Sequence, residues 1–324
     1  MTISDLGEFG LIASFAERLP RGAATLVGIG DDAAVLAMPD GRVVASTDLL
    51  VEGRHFRRDW SGPEEIGGKA AAQNLADLAA MGADPTALLV GLAVPAAESA
   101  DWVQRLVTGI ARECSAAGAT VAGGDLASAD AVMIAITALG HLAGRPPVTR
   151  AGARPGDVLA LAGNLGHSAA GLALLAAGLP GPAELITAHR SPHPPYQAGP
   201  EAATLGATAM IDVSDGLVAD AGHVAQASGV LIDIDSARLP QPPVLAEAAA
   251  ALAGPPGSAP GAVPGPLGWV LTGGEDHALA ATFPPQTPLP LRWTVIGAVR
   301  RGRGVRVDGR VFPGRGGWVS FTDK

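Results

Sequence analysis

The feature that most constrains this chain is a repeated junction, in which a short apolar run meets acids set beside glycines or hydroxyl residues. Gly28-Ile29-Gly30-Asp31-Asp32 closes the run at 24–29, Ser46-Thr47-Asp48 the run at 43–46, and Gly123-Gly124-Asp125 the run at 120–122. In the second half, Asp212-Val213-Ser214-Asp215-Gly216 ends the run at 209–213, and Gly273-Gly274-Glu275-Asp276 follows 269–271. A further acid, Asp77, sits on a helical pattern with Lys69 and Gln73 at i−8 and i−4 on one face. Strand ends gathered at one sheet edge would crowd these carboxylates, and crowded like charges repel unless cations lie between them. Mg²⁺, a hard oxygen-seeking ion that shares its shell with phosphates, suits such a set. Neighbouring glycines let backbone N–H groups approach phosphate oxygens. Singly, each acid reads more simply as a turn former or helix cap, and Asp77 as the solvated face of an Ala-rich helix. The metal–phosphate reading rests on the whole set.

Between these junctions strands alternate with helices. Apolar spacing predicts helices over 4–19, 63–81 and 99–117, the second opened by Pro63, Glu64 and Glu65 and stopped at Gly82. Short runs at 24–29, 43–46, 87–94, 120–122 and 132–139 read as strands. A turn-rich stretch at 144–156 marks a joint between two domains, 1–145 and 146–324. Beyond it the pattern predicts strands at 158–162, 209–213, 230–234 and 269–271 and helices at 169–179 and 217–227. Residues 254–268, with ten Gly or Pro in fifteen, read as a surface loop.

Composition excludes several classes. With 22 Lys+Arg against 31 Asp+Glu the chain carries a formal charge of −9, which argues against a nucleic-acid backbone as main partner. The single cysteine, Cys114, rules out an internal disulfide and a Cys-based zinc site, and its place on the stripe Val103, Leu106, Val107, Ile110 makes it a core residue. The first residues lack the basic start of a secretory signal, and the uncharged stretch 158–183 is broken by Asn164, His167, glycines and Pro180, so a cytoplasmic protein with no membrane partner is expected. Gly28-x-Gly30-x-x-Ala33 is a poor dinucleotide fingerprint because Asp31 and Asp32 would face the pyrophosphate. Gly68-Lys69 fails as a Walker loop at both ends. His189-x3-His193 is interrupted by Pro192 and reads as a turn rather than a metal pair.

In order and spacing, Gly28 to Asp32, Ser46-Thr47-Asp48 with Glu52-Gly53-Arg54-His55-Phe56, Asn74 to Ala83, Gly123-Gly124-Asp125, Asp212 to Gly216 and Gly273 to Asp276 resemble the thiamine-monophosphate kinase family. The wider superfamily is that of aminoimidazole ribonucleotide synthetase. The resemblance implies a two-domain α/β and α+β fold. Its N-terminal ATP/Mg-binding domain pairs its sheet across a homodimer, and its C-terminal α+β domain completes the active site. It implies Mg²⁺-dependent transfer of the ATP γ-phosphate to thiamine monophosphate, with several Mg²⁺ ions and no catalytic side chain forming a covalent intermediate. It implies metal ligands at Asp32, Ser46, Thr47, Asp48, Asp77, Asp125, Asp212 and Asp215. ATP contacts fall at Gly124, Asp125, Arg150 and Ser214, and acceptor contacts at His55, Glu275 and Trp318. Departures from the usual family pattern stand at Pro195, His277 and Trp318. An ATP-dependent ligase of purine biosynthesis in the same superfamily, or a non-catalytic nucleotide or metal sensor, remains the alternative.

Overall fold

The structure, a computed structural model, describes residues 2–16, 19, 22–29, 33–253, 265–314 and 316–318, with Glu8 and Phe9 as backbone only. It falls into two units, Met1–Ala79 with Ala83–Arg145, and Ala80–Gly82 with Pro146–Lys324. Among the described residues no helix is long and apolar enough to cross a membrane.

The first unit opens with α1 (Ile3–Ala16), kinked where Gly7 takes φ 67°, and a small pair β1 (Thr25–Val27) and β2 (Val35–Leu36). Its main sheet is built from β3 (Val44–Val51), β4 (Asp84–Val94), β5 (Thr120–Ser128) and β6 (Met133–His141) in the order β3-β6-β4-β5. Only β4 and β5 run parallel, joined by the helical crossover that parallel neighbours require. The helices are α2 (Pro63–Ala80) and α3 (Ala100–Ala117). A Cβ on Gly67 would strike the Leu106 carbonyl and one on Gly109 the Glu64 carbonyl, so these two helices cross in backbone contact. Cys114 is fully buried on α3, and burial pushes its thiol up to about 12, as a core residue should show.

The second unit is a seven-stranded, mostly antiparallel sheet with helices. Its strands are β7 (Val158–Ala162), β8 (Ala209–Val213), β9 (Leu231–Ile234), β10 (Ala278–Phe283), β11 (Trp293–Arg300), β12 (Gly304–Val307) and β13 (Arg310–Val311), ordered β13-β12-β9-β11-β7-β10-β8. Its helices are α4 (His167–Ala177), α5 (Ala183–Arg190), α6 (Ala198–Thr204), α7 (Leu217–Ser228), α8 (Pro243–Ala253) and α9 (Pro266–Thr272). Leu159, Leu161, Val213, Leu217, Val224, Ile232 and Trp269 belong to one continuous core. The two-domain α/β and α+β architecture expected from the sequence is the one observed.

Three local expectations are corrected. Residues 269–271 are not a strand but the end of α9, where Trp269, Val270 and Leu271 are all buried. A three-residue apolar run carries no period, and Pro266 in the first turn after Gly265 starts a helix. Ser46–Asp48 and Gly123–Asp125 lie inside β3 and β5 rather than beyond their ends. The polar residues continue each strand by alternating between its faces, which apolar runs alone cannot reveal. Of the loop expected at 254–268, residues 254–264 lie outside the described residues, Gly265 caps α9, and 266–268 form the first turn of that helix.

Candidate active site

In the first unit the site grows from an edge strand and the helix beside it. β3 is the outer strand of its sheet, so among the described residues one row of its backbone N–H groups has no neighbouring strand. Asn74 on α2 is completely buried, and its Oδ1 accepts the Asp48 N–H at 3.0 Å while its Nδ2 donates to Ala70 at 2.9 Å. Three residues on, Asp77 Oδ2 accepts the Ser46 hydroxyl at 2.6 Å. Asn74 and Asp77 thus use i,i+3 spacing to hold the backbone of one β3 residue and the side chain of another. Asp77 is half-buried against the strand, which corrects its reading as a solvated helix face. The role of Asn74 escaped the sequence reading, although its N-x-x-D spacing with Asp77 was the signal. Thr47 points to the other side, donating to the Ile136 carbonyl at 3.0 Å and accepting from Thr137 at 3.2 Å.

The ladder decides where Asp125 lies. Asp48 pairs with Ile136, Ile136 with Val90, and Val90 with Gly124, so Gly124 shares a face with Asp48 across two intervening strands. Asp125, next in β5, belongs to the opposite face, where it lines a shallow surface with Leu49, Met133 and Ala135. At the usual strand spacing β5 is roughly 14 Å from β3. The structure therefore joins Ser46, Asp48 and Asp77 and leaves Asp125 apart from them. Gly28 lies near Ala122 of β5, with a Cβ there 3.8 Å from its carbonyl oxygen. Asp32 lies outside the described residues. His55 is exposed after the turn at Gly53, and its Nδ1 accepts the Val51 N–H at 3.0 Å, which leaves the proton on Nε2 for a ligand.

In the second unit the candidate residues lie at the end of β8 and on loops. Asp212, next to last in β8, is almost fully buried, 3.2 Å from His277 Nδ1. The loop that follows is bonded to two other segments: Ser214 O accepts the Glu275 N–H at 2.8 Å and Asp215 O accepts the Trp318 N–H at 3.0 Å. A Cβ on Gly274 would collide with the Ser214 carbonyl, so glycine is required here for loop-on-loop packing. Asp212, Ser214, Asp215, Glu275 and Trp318 are brought together, with the Trp318 ring largely exposed. Arg150 is exposed, and its carbonyl accepts the Ser228 hydroxyl at the C-terminal end of α7, roughly 16 Å along the helix from the Ser214 loop.

Burial raises the carboxyl of Asp215, reinforced by the charge of Asp212 and opposed by His223. Burial pushes Asp220 up to about 7, although it accepts the N–H groups of Asp215 and Gly216, each at 3.0 Å. Asp215, Asp220 and His223 place ligand atoms within 4.8 Å of one another. Asp276 has a different task. Its two oxygens accept the Gly166 and Ser168 N–H groups at 2.6 and 2.8 Å, capping α4 from more than a hundred residues away. His193 is exposed and His189 buried.

Comparison with known proteins bears on the whole chain. Residues 30–142 match the family described as AIR synthase related protein, N-terminal domain, and residues 154–257 its C-terminal domain. A thiamine-monophosphate kinase of Mycobacterium tuberculosis strain H37Rv is 49% identical, over 99% of this chain and 94% of its own. The crystal structure of thiamine-monophosphate kinase from Stenotrophomonas maltophilia K279a is similar with a TM-score of 0.80 and 31% identity, over 94% of this chain and 98% of that one. AaThiL complexed with AMPPCP and TMP is similar with a TM-score of 0.77 and 36% identity, over 98% of both chains.

Proposed function

Because this chain belongs to the thiamine-monophosphate kinase family, we propose that it transfers the γ-phosphate of ATP to the phosphate of thiamine monophosphate, giving ADP and thiamine diphosphate. The observation that carries this reading is likeness to kinases of that name over 99% of the chain. The acceptor phosphate is already ionised, so no strong general base is needed. The work left to the protein is in-line positioning and neutralisation of charge.

Asp32, Ser46, Thr47, Asp48, Asp77, Asp125, Asp212 and Asp215 are assigned to metal. All are oxygen donors, which suits a hard divalent cation such as Mg²⁺. The raised carboxyl of Asp215 beside Asp212 is a crowding that a cation would relieve. Asp125 stands on the opposite sheet face from Asp48, so the assignment calls for more than one ion. When bound, Mg²⁺ supplies neutralisation of the phosphate oxygens. Gly124, Asp125, Arg150 and Ser214 are assigned to ATP, and His55, Glu275 and Trp318 to the thiamine part of the acceptor. Asn74 and Asp77 keep β3 in register against α2, so the hydroxyl and carboxylate of that strand meet ligands without rearranging.

The exposed apolar side chains Leu49 and Met133, beside Ala135 on the sheet's open face, support a homodimer formed through this surface. Its place of work, on this reading, is the cytoplasm, where ATP is at hand. The test is acceptor dependence. Thiamine monophosphate should stimulate ADP release and unphosphorylated thiamine should not. Equal stimulation by thiamine, or none by either, would overturn the proposal.

A further inference from the structure

The second unit holds a buried polar group that the reaction does not directly use. A Cβ on Gly171 would collide with the Leu185 carbonyl, so α4 and α5 meet in backbone contact. That contact sets His189, near the end of α5, against Ser168 in the first turn of α4. Its Nδ1 lies 3.1 Å from Ser168 Oγ and 3.4 Å from Glu275 Oε2. The His189 side chain is 6% exposed and that of Glu275 34%, so the imidazole is enclosed while the carboxylate reaches the surface.

Two features separate this from a nucleophilic triad. A triad engages its histidine through both ring nitrogens, one toward the nucleophile and one toward the acid. Here Ser168 and Glu275 share one nitrogen, and the Ser168 residue is 1% exposed. A carboxylate only accepts, whereas a hydroxyl can do either, so a hydrogen bond from His189 to Glu275 requires the proton on Nδ1.

The backbone under Glu275 is already over-determined. Glu275 is a non-glycine residue at φ 64°, a conformation kept only when its surroundings enforce it. Its N–H is held by Ser214, and the next residue, Asp276, is clamped to Gly166 and Ser168. What the backbone does not fix is the glutamate's long side chain, which has three rotatable bonds. We propose that His189 is a positioning residue whose Nδ1–H holds the Glu275 carboxylate in the orientation that receives the organic part of the phosphate acceptor. This rests on the assignment of Glu275 to the acceptor. Ser168 shares the same nitrogen and keeps the ring from turning away.

The test compares steady-state kinetics of H189F, H189Q, H189N, E275Q and H189F/E275Q, varying each substrate in turn. Phe keeps the ring's bulk without a donor, Gln carries its amide too far out, and Asn places an amide N–H where Nδ1 stands. H189F and H189Q should raise KM for thiamine monophosphate by about three- to tenfold, with kcat and the KM for ATP within about twofold. H189N should return KM to within about twofold of the parent. In the E275Q background, H189F should add no further effect on KM. If E275Q raises KM but H189F and H189Q do not, the positioning role is wrong and the assignment of Glu275 stands. If E275Q leaves KM unchanged, that assignment fails and the proposal with it. Should H189F not fold, the contrast of H189Q with H189N decides alone, and equal KM values for those two overturn the proposal.

Discussion

The two units hold their acids by different means. In the first, Asp48 and Asp77 sit on a strand and a helix, where the Asn74 amide oxygen accepts the backbone N–H of Asp48 and the Asp77 carboxylate accepts the Ser46 hydroxyl. In the second, Asp212, Asp215 and Asp220 are crowded around the loop between β8 and α7, where burial and mutual charge raise the carboxyls of Asp215 and Asp220. A carboxylate on regular structure costs the fold little, because the elements beneath it are stabilised by packing elsewhere. A carboxylate crowded into a loop works against the fold until a cation arrives. Acids of the first kind should therefore be removable with loss of function alone, and those of the second with mixed consequences.

The largest expected effect comes from Asp48→Asn, Asp77→Asn and Asp125→Asn. Each should lower kcat by about a hundredfold or more by removing a metal donor, with the melting temperature shifted by no more than a few degrees. Near-parent turnover in any of the three at modest Mg²⁺ would remove that position from the metal set. Asp215→Asn sharpens the comparison: its activity should fall as far, while the ion-free protein unfolds at a temperature equal to or above the parent's.

Asp276→Asn should act on stability instead. The amide replaces one of two acceptors that cap α4, a change worth about 1–3 kcal/mol, read as a lower urea midpoint. Burial raises the Asp276 carboxyl from the ordinary 3.8 to about 6, so the folded chain holds this proton more tightly than the unfolded one. Its contribution is therefore full below pH 3.8 and is lost as pH rises toward 6. The gap in unfolding free energy between parent and Asp276→Asn should narrow across that window. A constant gap would mean that the carboxyl keeps an ordinary affinity for its proton.

Trp318→Ala should have the smallest effect. Its exposed indole can stack on the cationic thiazolium ring for roughly 0.5–2 kcal/mol, a rise of about three- to thirtyfold in KM for thiamine monophosphate. KM for ATP should hold, and Trp318→Tyr should recover most of the loss. Equal rises in both KM values would show a structural role.

Much of this was legible in the sequence, for identifiable reasons. Long amphipathic helices such as α3 announce themselves by period, and Gly118 marks where that one stops. The acids were visible as a set because glycines and hydroxyl residues recur beside them. Their division into kinds was not. Asp276 shares a motif with Glu275, yet it caps a helix that begins more than a hundred residues earlier, and no local pattern encodes that pairing. Asp125 and Asp48 look alike in sequence, and only the strand order β3-β6-β4-β5 separates them. His189 was met only as half of a histidine pair, because its partners Ser168 and Glu275 come from two distant segments. Helix α9 was hidden by the shortness of its apolar run.

The central claim, that these acids serve one direct transfer between two phosphates, is tested most directly by following the label of γ-³²P-ATP in a single turnover with thiamine monophosphate. The account predicts label in thiamine diphosphate, equal to the ADP formed, with none on the protein at any time. Label released as free phosphate, or held on the protein before product appears, would contradict it.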